Sequence, residues 1–108
     1  MILVALSLAR SESASATIVW SATIVGVTVD PAYGNFAFIK LSVAPTGLAC
    51  GTSTDYHYTL SFVGPANQQL YALLLSAYLS GKTVAVVGQG VCNENNTVES
   101  LRGLNVIG

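Results

Sequence analysis

A chain of 108 residues suffices for one domain with a modest core, and only 8% of it is charged, against roughly 25% in an ordinary soluble domain. The net charge of -1 includes four cations, Arg10, Lys40, Lys82 and Arg102, too few and too scattered to neutralise the phosphates of a nucleic acid. A polar, nearly uncharged surface beside 52% hydrophobic residues favours a subunit that hides part of itself in an oligomer.

Along the chain, the apolar run Ile2 to Ala9 followed by Ala14-Ser15-Ala16 has the layout of a signal-peptide core and cleavage site. Residues 1–16 read as a truncated signal peptide and Thr17 as the first mature residue. No Lys or Arg precedes the run, so an amphipathic extension is the alternative. The run is too short to anchor in a bilayer, and the apolar stretch around Leu73 is interrupted by Ser76, Ser80 and Gly81, so membrane insertion is not expected. The expected location is secreted or periplasmic, in a bacterium.

Thr17 to Asp30 is rich in β-branched residues and predicts a long strand that bends at Gly26. Asp30 to Asn35 is a turn, with Pro31 and Gly34 where a chain reverses. The next strand alternates, with Ala37, Ile39, Leu41 and Val43 on one face and Phe36, Phe38, Lys40 and Ser42 on the other. Ala44 to Thr54 is a loop carrying Cys50. Asp55 to Val63 predicts a third strand, with Tyr56, Tyr58, Leu60 and Phe62 on one face and Asp55, His57, Thr59 and Ser61 on the other.

Pro65 opens a helix at a first-turn position where its missing N–H is harmless. Leu70, Leu73, Leu74 and Ala77 form its core-facing stripe, and Tyr71, Leu75, Tyr78 and Leu79 leave a second apolar flank, an expected oligomer interface. Gly81 fits a left-handed C-terminal cap, and Lys82 complements the carbonyl end. Thr83 to Gly88 is the fourth strand, Gln89 to Ser100 a polar loop with Cys92, and Leu104 to Gly108 the fifth strand. Two cysteines in a short exported chain argue for a Cys50–Cys92 disulfide, with buried free thiols as the rival reading. Three strands, a helix and two strands is the element order of the OB-fold, a five-stranded Greek-key barrel with its helix between strands 3 and 4. The expected domain spans residues 17–108.

Asp55, His57 and Ser61 share a strand face, but neighbours two apart on a strand stand roughly 6.6 to 7 Å from each other, too far for a catalytic triad. Asp30, Asp55, Glu94 and Glu99 are scattered, Gly88-Gln89-Gly90 lacks the following helix of a phosphate cradle, and two distant cysteines with one histidine make no zinc pattern. No catalysis, cofactor or metal is expected. Trp20, Tyr33, Phe36, Phe38, Tyr56 and Tyr58 could stack on sugar rings, although aromatics on alternating strands more often pack in cores or between subunits.

Trp20-Ser21 entering a β-branched strand, the second strand through Phe36 to Leu41, the cysteine after Leu48-Ala49, and Leu70-Tyr71 running through a helix to Gly81-Lys82-Thr83-Val84 together resemble the OB-fold binding (B) subunits of subtilase-cytotoxin-like and pertussis-like bacterial toxins. The resemblance covers most of residues 17–108. It implies a secreted ring of five subunits that binds sialylated or related cell-surface glycans and delivers a separate enzymatic subunit, as in enterotoxins. Carried across, the glycan-contacting serine falls on Ser21 beside Trp20. In a chain that binds sugar, Ser21 would offer hydroxyl hydrogen bonds and Trp20 a stacking face, with Lys40 or Gln89 at the rim. The aromatic that such subunits place after the helix falls on Gly88, a departure that puts the sialic-acid pocket in doubt. The alternative is a structural or assembly subunit of an exported complex that binds no sugar.

Overall fold

The computed structural model describes residues 16–46 and 50–108. The expected leader lies outside them apart from Ala16, as do Leu48 and Ala49. Five strands and one helix follow in the order β1 (Ile18–Val29), β2 (Phe36–Leu41), β3 (Tyr58–Ser61), α1 (Pro65–Ser80), β4 (Thr83–Gly88) and β5 (Glu99–Val106). The strands close into one barrel in the order β1-β2-β3-β5-β4, with β4 returning to β1. All neighbours are antiparallel except β3 and β5, which run parallel and share only the pairs Tyr58 with Glu99 and Thr59 with Ser100.

The 12 residues of β1 serve two neighbours. The strand bends between them because the register shifts from Ile24 to Gly26 against β2 and again from Val19 to Ala22 against β4. An inserted residue at such a bulge tightens the local twist and lets one strand turn a barrel corner. The first shift falls at the expected glycine.

Alternation sends Val19, Ala22 and Ile24 of β1, Ile39 and Leu41 of β2, Tyr58 and Leu60 of β3 and Val84 and Val86 of β4 into a common core. The outer face of β2 is buried as well: Phe36 and Phe38 form a second cluster with Val98, against which Tyr56 packs. Each buried phenyl stabilises by roughly 1.5 to 3 kcal/mol, so this cluster is a substantial part of a small core. Tyr56 therefore departs from the expected face shared with Tyr58 and Leu60. The strand begins at Tyr58, and the irregular backbone before it turns Tyr56 to the outside.

Helix α1 starts as expected at Pro65, but no side chain caps it. Its end is the anticipated one: Gly81 sits at φ 67°, its N–H donates to Tyr78 O, and the Lys82 N–H donates to Ala77 O, the paired bonds of a Schellman closure. Leu74 and Ala77 are buried, whereas Leu73 is exposed, which corrects the predicted stripe. Leu70 packs against the core as expected, and Tyr71 and Leu75, expected on the outer flank, complete the contact. With apolar residues nearly all round the helix, periodicity alone could not select the inward line. Helix contacts reach β1, β3 and β5.

Strand β5 begins at Glu99, five residues earlier than its apolar pattern suggests. Glu99 and Ser100, expected in a polar loop, are both buried.

Candidate ligand-binding groove

Outside the barrel, the β1–β2 turn, the segment before β3 and the β4–β5 loop converge on the outer face of β2. The first is built by Asp30, whose carbonyl accepts from Tyr33 N–H at 3.0 Å and whose Oδ1 accepts from Ala32 N–H at 2.9 Å, the local bonding that makes aspartate a turn residue. Ser53 shapes the second, its Oγ accepting from the N–H groups of Asp55 and Tyr56 at 3.2 and 3.3 Å. In the third, Asn95 Oδ1 accepts from Thr97 N–H at 3.0 Å and Thr97 Oγ1 at 2.7 Å. Thr97 O then accepts from the N–H groups of Thr52 and Ser53, and the Cys50–Cys92 disulfide, with Cα atoms 6.1 Å apart, joins the same two segments.

The result is two adjoining recesses of about 360 and 380 Å³ that share Thr28, Asp55 and Tyr56. One continues to Lys40 and Tyr78. The other continues to Tyr33, Phe38, Asn95 and Thr97. Its aromatics form a stepped series: Phe38 meets Tyr56 at 4.8 Å and Tyr33 at 5.5 Å, the latter edge-on. Tyr56 is pinned by a 2.9 Å bond between its hydroxyl and Thr28 Oγ1, while Tyr33 is 65% exposed. A groove with fixed rings, an exposed ring, a carboxylate and amide and hydroxyl groups can stack one face of a flat apolar ligand and hydrogen-bond its rim.

The four expected glycan-binding residues are not gathered in one place. Trp20 and Ser21 lie on the β1 bulge facing β4, both exposed. Lys40 is opposite Gly26, six residues along β1 from Trp20, or about 20 Å of strand. Gln89 follows β4, where its Nε2 donates to Leu101 O at 3.1 Å and its Oε1 accepts from Asn93 Nδ2 at 3.2 Å, so it serves the loop. Lys40 alone of the four lines the groove. Of the expected interface residues, Tyr71 packs on Phe62 at 4.8 Å and, with Leu75, against the core. Tyr78 lines a recess, and Leu79 is 81% exposed.

Gly88, where the resemblance places an aromatic wall, is buried, and a Cβ built on it would overlap the Glu99 carboxylate and come within 2.9 Å of the Tyr58 ring. No side chain fits there. Glu99 itself accepts from Thr17 N–H at 3.2 Å, Thr17 Oγ1 at 2.6 Å and Gly90 N–H at 2.8 Å, and Thr17 Oγ1 also bonds the Tyr58 hydroxyl at 2.6 Å. Burial and the nearby Glu99 carboxylate push the Tyr58 hydroxyl pKa above its ordinary value, against the Thr17 hydrogen bond.

His57 makes no hydrogen bond to Asp55 or Ser61 among the described residues. Its Nδ1 accepts from Leu41 N–H at 3.0 Å and its backbone N–H donates to Ile39 O at 2.8 Å, continuing the β2–β3 ladder before β3 begins. Burial first, and the Lys40 charge second, lower its pKa from 6.5. A base held neutral by the fold contributes stability that is fully present above its unfolded pKa and is lost as pH falls through the folded one. The denaturant midpoint is therefore expected to decline as pH falls from about 7.5 to about 5. His57→Gln, whose carbonyl can still accept from Leu41, should flatten this decline; an unchanged slope would rule the histidine out as its source.

No protein-family model, curated protein or solved structure matches the chain.

Proposed function

We propose that this chain is a secreted, non-catalytic OB-fold binding module that takes an uncharged saccharide in the groove on the outer face of β2. The observation that carries this reading is the aromatic series Tyr33, Phe38 and Tyr56 with Asp55 and Asn95 beside it. Sugar rings present an apolar face for stacking and a rim of hydroxyls for carboxylate and amide groups. The barrel order and the helix between β3 and β4 support the OB assignment, and OB-folds bind oligosaccharides on the strand 2 and 3 side between the 1–2 and 4–5 loops. Asp55 lines both recesses and disfavours an anionic sugar by like-charge repulsion. This moves the site away from Trp20 and Ser21 and the specificity away from sialylated glycans.

Ring formation as a pentamer, and delivery of a separate enzymatic subunit to a cell-surface receptor, remain part of the proposal. The exposed Leu79 and Trp20, 81% and 75% accessible, are the surfaces it would cover. They equally favour the second reading, an assembly subunit of an exported complex.

A glycan array and titration calorimetry test the first reading. Tyr33→Ala is expected to weaken binding of a neutral oligosaccharide about tenfold, the worth of one stacked aromatic, while Ser21→Ala leaves it unchanged. No binding to any sugar would leave the assembly reading in its place, and sugar binding indifferent to Tyr33 would overturn the groove as the site.

A further inference from the structure

The Glu99 carboxylate is 2% exposed, and every hydrogen bond it receives from the described residues comes from a neutral donor. Buried carboxylates are stabilised best by a cation, because desolvation is costly and neutral donors offset only part of it. One of those donors is the backbone nitrogen of Thr17. It directly follows Ala14-Ser15-Ala16, the small-residue pattern after which a leader peptidase cuts. Ala16 is exposed, whereas Thr17 is 3% exposed.

We propose that hydrolysis of the Ala16–Thr17 bond turns this nitrogen into an α-ammonium that pairs with Glu99 and locks the start of β1 into the barrel. The inference rests on reading residues 1–16 as a cleaved leader. Water adds its oxygen to the Ala16 carbonyl carbon as the C–N bond breaks. The leader departs as a carboxylate, and both water hydrogens end on the Thr17 nitrogen. No rearrangement is needed, because the Gly88 N–H already holds Thr17 O at 2.9 Å and the Thr17 hydroxyl bridges Glu99 to Tyr58. Maturation then adds a charged donor to a contact that the precursor makes through the Thr17 peptide N–H and hydroxyl, where the start of β1 meets β3 and β5.

The test uses the full chain with residues 13–16 replaced by the recognition sequence of a protease that cuts immediately before Thr17. It is cut in urea and refolded beside an uncut sample. Cutting is expected to lower the unfolding equilibrium constant about tenfold, the advantage of a charged over a neutral donor. Acetylating the new amine should reverse the gain, and Glu99→Gln should abolish it. Equal stability of cut and uncut chains, or a gain that survives acetylation, overturns the ion pair. Should Glu99→Gln fail to fold, amine labelling decides. The Thr17 amine is expected to react far more slowly than Lys82 in the folded cut protein and faster than Lys82 in urea, where its lower pKa leaves more of it as free base, and fast labelling in the folded state overturns the proposal. The intact mass of the exported protein tests the cleavage separately. A first residue other than Thr17 overturns the maturation step even if the refolding result stands.

Discussion

Cys50→Ser/Cys92→Ser is expected to be less stable than the oxidised protein by about 4 kcal/mol, the chain-entropy value for a cross-link closing a loop this long. The two cysteines are 42 residues apart, and the loop between them contains β3, α1 and β4. Freeing it returns considerable entropy to the unfolded chain. Domains of this size hold only about 5 to 15 kcal/mol in all, so the variant should have a sharply lower urea midpoint. The bond also joins two of the three segments framing the groove, so saccharide binding should weaken beyond the loss of folded protein. A decrease below about 1 kcal/mol would mean that the backbone bonds from Thr52 and Ser53 to Thr97 hold these loops unaided.

Gly88→Ala should cost about 3 kcal/mol, an unusually large penalty for one methyl group. The added carbon would occupy the space of the Glu99 carboxylate and press on Tyr58. Either β4 and β5 spread, or Glu99 swings away and leaves the N–H groups of Thr17 and Gly90 without acceptors inside the barrel. Each orphaned donor costs about 1 to 3 kcal/mol. A double variant with Glu99→Ala separates these costs: the methyl then meets only the Tyr58 ring, so the combined loss should be smaller than the sum of the single losses. Additive losses in urea unfolding would show that the two residues do not compete for the same space.

Much of the fold was legible in the sequence. The bend in β1 was marked by Gly26, the helix end by Gly81-Lys82, and β4 by its valines, because each reflects local backbone preference or simple alternation. The beginning of β5 was hidden because Glu99 and Ser100 look like loop residues until Thr17 and the Gly90 N–H satisfy the first and the Glu94 carboxylate the second. Leu73 and Leu75 were indistinguishable on a helix apolar nearly all round; only the docking direction separates them. The groove was legible in its residues but not in its location. Tyr33, Phe38 and Tyr56 have the right chemistry for a sugar, yet they lie on three segments that meet only when the barrel closes. The likeness to toxin subunits drew attention to Trp20 and Ser21, which share a segment and so are easily seen in a linear chain.

The parallel contact of β3 with β5 is the narrowest part of the barrel, two residue pairs long. It is clasped on both sides by carboxylates: Glu99 ties Tyr58 to Thr17 through one hydroxyl, and Glu94 Oε1 accepts from Thr59 and Ser100 at 2.9 and 2.8 Å. A sheet joined by so few rungs opens there first, like a cuff unfastened at its buttons. A reductant that frees the loop above them would bare the flanks of two strands to passing chains. The molecule's keenest vulnerability to clumping therefore lies at this closure and not on the exposed side of its greasy helix.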